Sequence, residues 1–184
     1  SNTGLKLVSG FTIPQGGSAS FTIDFDLRKA VAEPSGVPFQ SPQKYLLRPA
    51  LRLIDNVEAG TIAGAVDDSL LDSTEDGCSD DDPLTGNAVY VFAGSDVAPD
   101  DIDGVDGADA EPITVATVIF DEDSGEYRYL AAFLAAGPYT VAFTCQADQD
   151  SAPIPEESND GEDTIAFVSP ANVSVVADET TEHD

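Results

Sequence analysis

The chain has 184 residues, with 35 acidic against 7 basic side chains and a formal net charge of −28. Such a surface repels nucleic acid and anionic membrane, so neither is an expected partner. No apolar run approaches the roughly 18 residues of a membrane-crossing helix, and the single histidine and two cysteines leave little material for imidazole or thiolate chemistry.

From the start of the chain, residues 5–13 and 19–25 predict a hairpin around the turn-rich stretch 14–18. Phe21, Ile23 and Phe25 share one parity and Thr22, Asp24 and Asp26 the other, which predicts one buried face. Residues 27–31 predict a helical turn that Asp26 caps. Residues 33–43 hold three prolines without periodicity and read as a loop. Residues 45–54 predict a strand interrupted by Pro49, hence an edge or a bulge. Arg48 and Arg52 are four apart on one side of that strand, and Asp24 and Asp26 are their expected partners.

Residues 57–66 predict a strand in which Gly60 and Gly64 mark a bend or the close approach of another backbone. A long acidic loop, 67–86, follows. Residues 87–93 place Val89 and Phe92 on opposite parities, as in a strand with protein on both faces. A second acidic loop covers 94–112 and a third 150–163, with the last strand or strands at 164–168 and 172–176. The acidic tail, 178–184, is expected to fray.

The densest signal is residues 115–145, which predict three strands and two tight turns. Residues 116–120 are mainly apolar with β-branched residues; residues 121–125 break the run with turn formers. Tyr127, Tyr129, Ala131 and Phe133 then share one parity, and Tyr139, Val141, Phe143 and Cys145 share another after the break at 135–138. Two consecutive hairpins of this kind make a meander.

Gly125, Tyr127, Phe133, Leu134, Gly137, Tyr139 and Val141 match a pattern that closes transthyretin-like, or carboxypeptidase-regulatory-like, β-sandwich domains. The run GTIAGAVDD at 60–68 resembles their opening strand and NAVYVFAG at 87–94 their second. Across residues 4–176, the segments FTIDFDLRKAV and YLLRPALRLIDNVEAGTIAG resemble the bacterial domain of unknown function family 4382. The resemblance implies an all-β fold: a transthyretin-like (prealbumin/Ig-like) β-sandwich over 57–177, an abutting N-terminal β region over 1–56 and an acidic tail over 178–184. It also implies a secreted or lipid-anchored protein without assigned activity, of which this chain is expected to be a mature fragment, a processed product or a trimmed piece.

Under that reading the acidic surface suits an exported protein of a saline or marine-type bacterium, working outside the cell or on its outer surface. Lys6, Arg28, Lys29, Lys44, Arg48 and Arg52 all precede residue 53, with only Arg128 after it. Opposed charge at the two ends favours head-to-tail contact, and terminal strands at 5–13 and 172–176 offer edges for strand addition into an oligomer or filament. In an oxidising compartment Cys78 and Cys145 are expected to pair, pinning the loop 67–86 to the sheet; two free thiols are the alternative.

Catalytic constellations are not expected. His183 is the one histidine and stands at the end of the chain, and no phosphate-cradling glycine motif is present. Carboxylate pairs for glycoside hydrolysis are too easily found among 35 acids to carry weight, and there is no tryptophan. No cofactor is required. Calcium is the one candidate ion: Asp100, Asp101, Asp103, Asp106 and Asp109 are interleaved with glycine, and Asp80, Asp81 and Asp82 form a second cluster. Neither fits an EF-hand register, and solvated loops are the plainer reading. The expected role is a non-catalytic structural or adhesive module. A carbohydrate-binding module is the alternative, because related sandwiches include sugar binders; Tyr90, Tyr127, Tyr129 and Tyr139 are its stacking candidates, although alternation puts most of them in the core.

Overall fold

The computed structural model describes residues 19–32, 45–47, 51–71, 78, 86–102, 110–150 and 165–184. In the N-terminal part, strand β1 (Phe21–Phe25) leads into a single turn of helix, α1 (Leu27–Ala30), then β2 (Val31–Ala32), β3 (Leu46–Leu47) and β4 (Leu51–Asp55). Asp26 caps α1 as predicted, its Oδ1 accepting the backbone N–H groups of Arg28 and Lys29. β1 pairs antiparallel with β4, and β2 with β3. Of the strand expected over 45–54, β3 therefore pairs in one small sheet and β4 in another. The predicted strand 5–13, Pro49 and Arg48 lie outside the described residues.

β5 (Ala59–Val66), the short helix α2 (Asp68–Leu71), β6 (Ala88–Ala93), β7 (Thr114–Thr117), β8 (Ile119–Asp121), β9 (Glu126–Ala135), β10 (Gly137–Thr144), β11 (Val168–Val175) and β12 (Thr180–Glu182) follow. They form two four-stranded sheets, ordered β12-β5-β9-β8 and β11-β10-β6-β7. The inner faces meet in one core: Ile62, Tyr129 and Leu134 from the first sheet against Val89, Val91, Val141 and Phe143 from the second. The chain is an all-β sandwich. Burial of apolar area of this kind stabilises by about 1.5–3 kcal/mol for each large side chain.

A second, smaller core covers the outer face of the β10–β6 pair, where Tyr90, Phe92 and Ala142 pack beneath Ile102, Ala147 and Phe167. The Phe167 ring meets Tyr90 edge-on, with centroids 5.1 Å apart. β6 is thus buried on both faces, as its unbroken apolar run predicts.

The three-strand meander expected over 115–145 is corrected in three places. Residues 114–121 are not one strand. Val118, which is 2% exposed, turns the chain from the second sheet into the first, its N–H bonded to the Asn87 carbonyl at 2.9 Å. The β8–β9 hairpin stands as predicted, with Gly125 at φ 75° in its turn. β9 and β10, however, belong to different sheets. β10 has its two edges taken by β6 and β11, and most of both its faces is buried, so it suits the centre of the second sheet. The corner at Ala136 carries the chain across, and the Tyr139 hydroxyl bonds the Ala135 carbonyl behind it at 2.8 Å.

The parity of β9 also breaks. Opposite β5, Gly60 faces Leu134 and Ile62 faces Ala131, so two residues of β9 stand against Thr61 alone. This bulge places Phe133 at φ 60°, pointing out at 42% exposure, and turns Leu134 inward at 1%.

The tail does not fray. β12 lies parallel to β5, with Thr180 opposite Thr61 and Glu182 opposite Ala63. Gly60 and Gly64 are the close approaches their spacing predicts: a Cβ on Gly64 would lie 1.7 Å from the His183 carbonyl oxygen, and one on Gly60 would lie 2.3 Å from that of Val176.

Candidate functional site

A cleft of about 720 Å³ opens between the two sheets where β5 runs out into α2. A second irregularity lies beside it. β10 and β11 pair as Val141 with Ala171 and then Phe143 with Val168, so Ser169 and Pro170 stand opposite Ala142 alone. Pro170 has no N–H for the ladder and Ser169 sits at φ 51°, so β11 bulges at this corner.

The floor is apolar: Val66 and Leu70 on one side, Val89, Val141 and Phe143 on the other, with Tyr129 at the back. The rim carries Asp67, Asp68, Glu126 and Asp184, together with His183 and Ser169, and no lysine or arginine is among the described lining residues. Several rim contacts fix a carboxylate. Asp67 accepts the Ser69 hydroxyl and its backbone N–H, and these two bonds hold its carboxyl below the usual range. Asp184 Oδ1 accepts the backbone N–H of Ala65 at 2.9 Å. Glu126 lies 3.2 Å from Arg128, whose other nitrogen reaches Glu182 at the same distance. The Tyr129 hydroxyl donates to the His183 carbonyl. Burial, with the charges of Asp184 and Glu182 behind it, pushes that hydroxyl up to about 12.

Ser169, His183 and three aspartates therefore share one cleft, which the position of His183 at the end of the chain does not suggest. Among the described residues no hydrogen bond joins the Ser169 hydroxyl to the imidazole, or the imidazole to a carboxylate. A relay that strips a proton from serine needs both. The only local sign of the tail's location was the pair of glycines four apart in β5.

Cys78 and Cys145 form a disulfide, Cα to Cα 5.5 Å, which fixes residue 78 at the end of β10. Of the calcium candidates, Asp100 is half-buried and Asp101 is 2% exposed. Asp101 belongs to a buried polar group: its charge acts on the Tyr90 hydroxyl, which bonds Asp150, while Arg28 reaches the Ala147 carbonyl at 2.8 Å. Burial first, and then the Asp150 bond, raise the Tyr90 hydroxyl well above its ordinary value. Asp103, Asp106, Asp109, Asp80, Asp81 and Asp82 lie outside the described residues. Among the described residues no group of three or more His, Cys, Asp or Glu is placed to hold a metal ion.

Of the four tyrosines that might stack on a sugar, Tyr90, Tyr129 and Tyr139 are core residues, each under 7% exposed. Tyr127 is half-buried and meets the half-exposed Phe120 edge-on at 5.1 Å. Arg52 bonds Asp24 through Nε at 3.0 Å, as predicted for that pair. No helix among the described residues is long and apolar enough to cross a membrane. The chain matches no protein-family model, no curated protein and no solved structure.

Proposed function

We propose that this chain is a non-catalytic module that works outside the cell or on its outer surface, in a structural or adhesive role. The observation that carries the reading is the disulfide between Cys78 and Cys145. Such a bond persists in oxidising surroundings and is rare in a reducing cytosol. The charge of −28 fits the same setting, because it keeps a surface-exposed protein apart from its neighbours in saline water.

Membership of the domain of unknown function family 4382, with a transthyretin-like second part, belongs to this proposal. Its support is that the two segments resembling the opening strands of such domains carry β5 and β6, one in each sheet. Assembly into oligomers or filaments belongs to it as well, through β11. Among the described strands it is an edge of its sheet. Pro170 and the bulge blunt its first half, while Ala171 to Val175 runs in register with β10. Glycan binding is a second reading, favoured by the Phe120–Tyr127 pair on the β8–β9 hairpin.

The test is fractionation of native cells followed by alkylation without reductant. Recovery in the external or surface fraction with no alkylatable thiol supports the proposal; recovery in the cytosol with two free thiols refutes it. Light scattering and electron microscopy of the purified protein in saline buffer test assembly, and a glycan array tests the second reading.

A further inference from the structure

We infer that the cleft between the sheets binds a small aliphatic amine, an ammonium group carried on an alkyl stem. The inference is independent of where the module works. It rests on two properties of one cavity. At about 720 Å³ the cleft lies in the range of small-ligand pockets. On its floor the side chains of Val66, Leu70, Val141 and Phe143 carry no hydrogen-bonding group, so placing an alkyl chain against them is favourable.

The rim decides the sign of the head group. Asp67, Asp68, Glu126 and Asp184 all line the cleft, and no lysine or arginine is among its described lining residues. Arg128 takes part of the Glu126 charge, but it divides itself between Glu126 and Glu182. A mouth of one sign above low-dielectric walls focuses its field and concentrates ions of the opposite sign. An anion or a neutral alcohol meets the same floor without that attraction. A bare inorganic cation or ammonium meets the rim but leaves the floor wet. Only a cation with an apolar stem satisfies both.

The rim is also held in place. Ser69 fixes Asp67, the Ala65 amide fixes Asp184, and the Tyr129 hydroxyl fixes the backbone of His183. A ligand meeting groups already held pays less ordering entropy on binding.

The test uses n-hexylamine as the probe, with ammonium chloride and 1-hexanol as its two halves, followed by calorimetry and amide chemical shifts at low ionic strength. Hexylamine is expected to bind at least about tenfold more tightly than either half, with shifts centred on Val66, Tyr129 and His183. The double variant Asp68→Asn/Glu126→Gln removes two rim charges and is expected to weaken hexylamine by about tenfold. Glu179→Gln, outside the cleft, is expected to leave binding unchanged. Equal binding of ammonium shows a diffuse counterion effect, equal binding of hexanol shows a merely apolar cavity, and either result overturns the assignment. So do an unchanged double variant that retains the wild-type circular dichroism, shifts centred elsewhere, and no binding at all. Tighter binding of a lysine-containing tripeptide than of hexylamine also overturns it, in favour of a peptide.

Discussion

The Tyr129 hydroxyl donates to the backbone carbonyl of His183 at 2.8 Å, joining residues 54 positions apart. That bond, with the clearance at Gly64, holds β12 against β5. Tyr129→Phe is expected to cost about 1 kcal/mol, the net value of one such bond. Gly64→Ala forces a methyl group to within 1.7 Å of the His183 carbonyl oxygen unless β12 moves. It is expected to cost roughly 1–3 kcal/mol, as overpacking does. Urea denaturation gives both numbers. Hydrogen exchange distinguishes the mechanism: in Gly64→Ala the amides of Ala65 and His183 are expected to lose protection first. Unchanged protection there would show that β12 is not what the glycine accommodates.

Removing the disulfide is expected to be the most damaging change of those considered. The bond closes a loop with a sequence separation of 67. In the chain-entropy model that closure contributes about 4 kcal/mol. The variant Cys78→Ser/Cys145→Ser should lose about that much by chemical denaturation. A loss below about 1 kcal/mol would mean that the unfolded chain keeps residues 78 and 145 close without the bond.

Stability is expected to fall above pH 10. An unfolded tyrosine loses its proton near 10.0, whereas Tyr129 in the folded chain holds its proton to about 12. The folded state therefore binds more protons in that window, and stability declines with rising pH by about 1.4 kcal/mol per pH unit for this residue. Tyr90 is raised as well and acts in the same direction. The contribution is fully present below pH 10 and is lost as the pH climbs through the folded value. Urea midpoints measured from pH 8 to 12 test the slope, which Tyr129→Phe should reduce.

The Asp24–Arg52 pair is expected to matter little. Both side chains are about a quarter exposed, at 28% and 25%. Asp24→Asn should cost at most about 1 kcal/mol, and less at high salt. A larger, salt-independent loss would point to a packing role for the Arg52 stem.

Local pattern was enough for most strands and for the cap at Asp26. The run at β6 announces two buried faces, and Gly125 announces a hairpin. Sheet membership was not legible in the same way. The Ala135–Gly137 corner and Val118 look like a turn and a mid-strand residue, yet each carries the chain from one sheet to the other. Nothing within a few residues records that, because the deciding contacts are with β6 and β11. Phe133 misled for a related reason: alternation is conserved only while the register is, and a bulge reverses it. The cleft was hidden because its lining comes from six separated stretches of the chain. Its acids were visible, but among 35 of them no subset stands out.

The parallel pairing of β12 with β5 also bears on the time the protein takes to fold. Ala65 and Asp184 are 119 residues apart in sequence. Closing a loop that long costs entropy before the contact gives anything back, and chains dominated by such contacts fold in milliseconds to seconds rather than microseconds. Until β12 arrives, one edge of β5 stands open beside an apolar sheet. In that interval a neighbouring molecule in the same unfinished state competes for the vacant position, and the yield on refolding should fall as protein concentration rises.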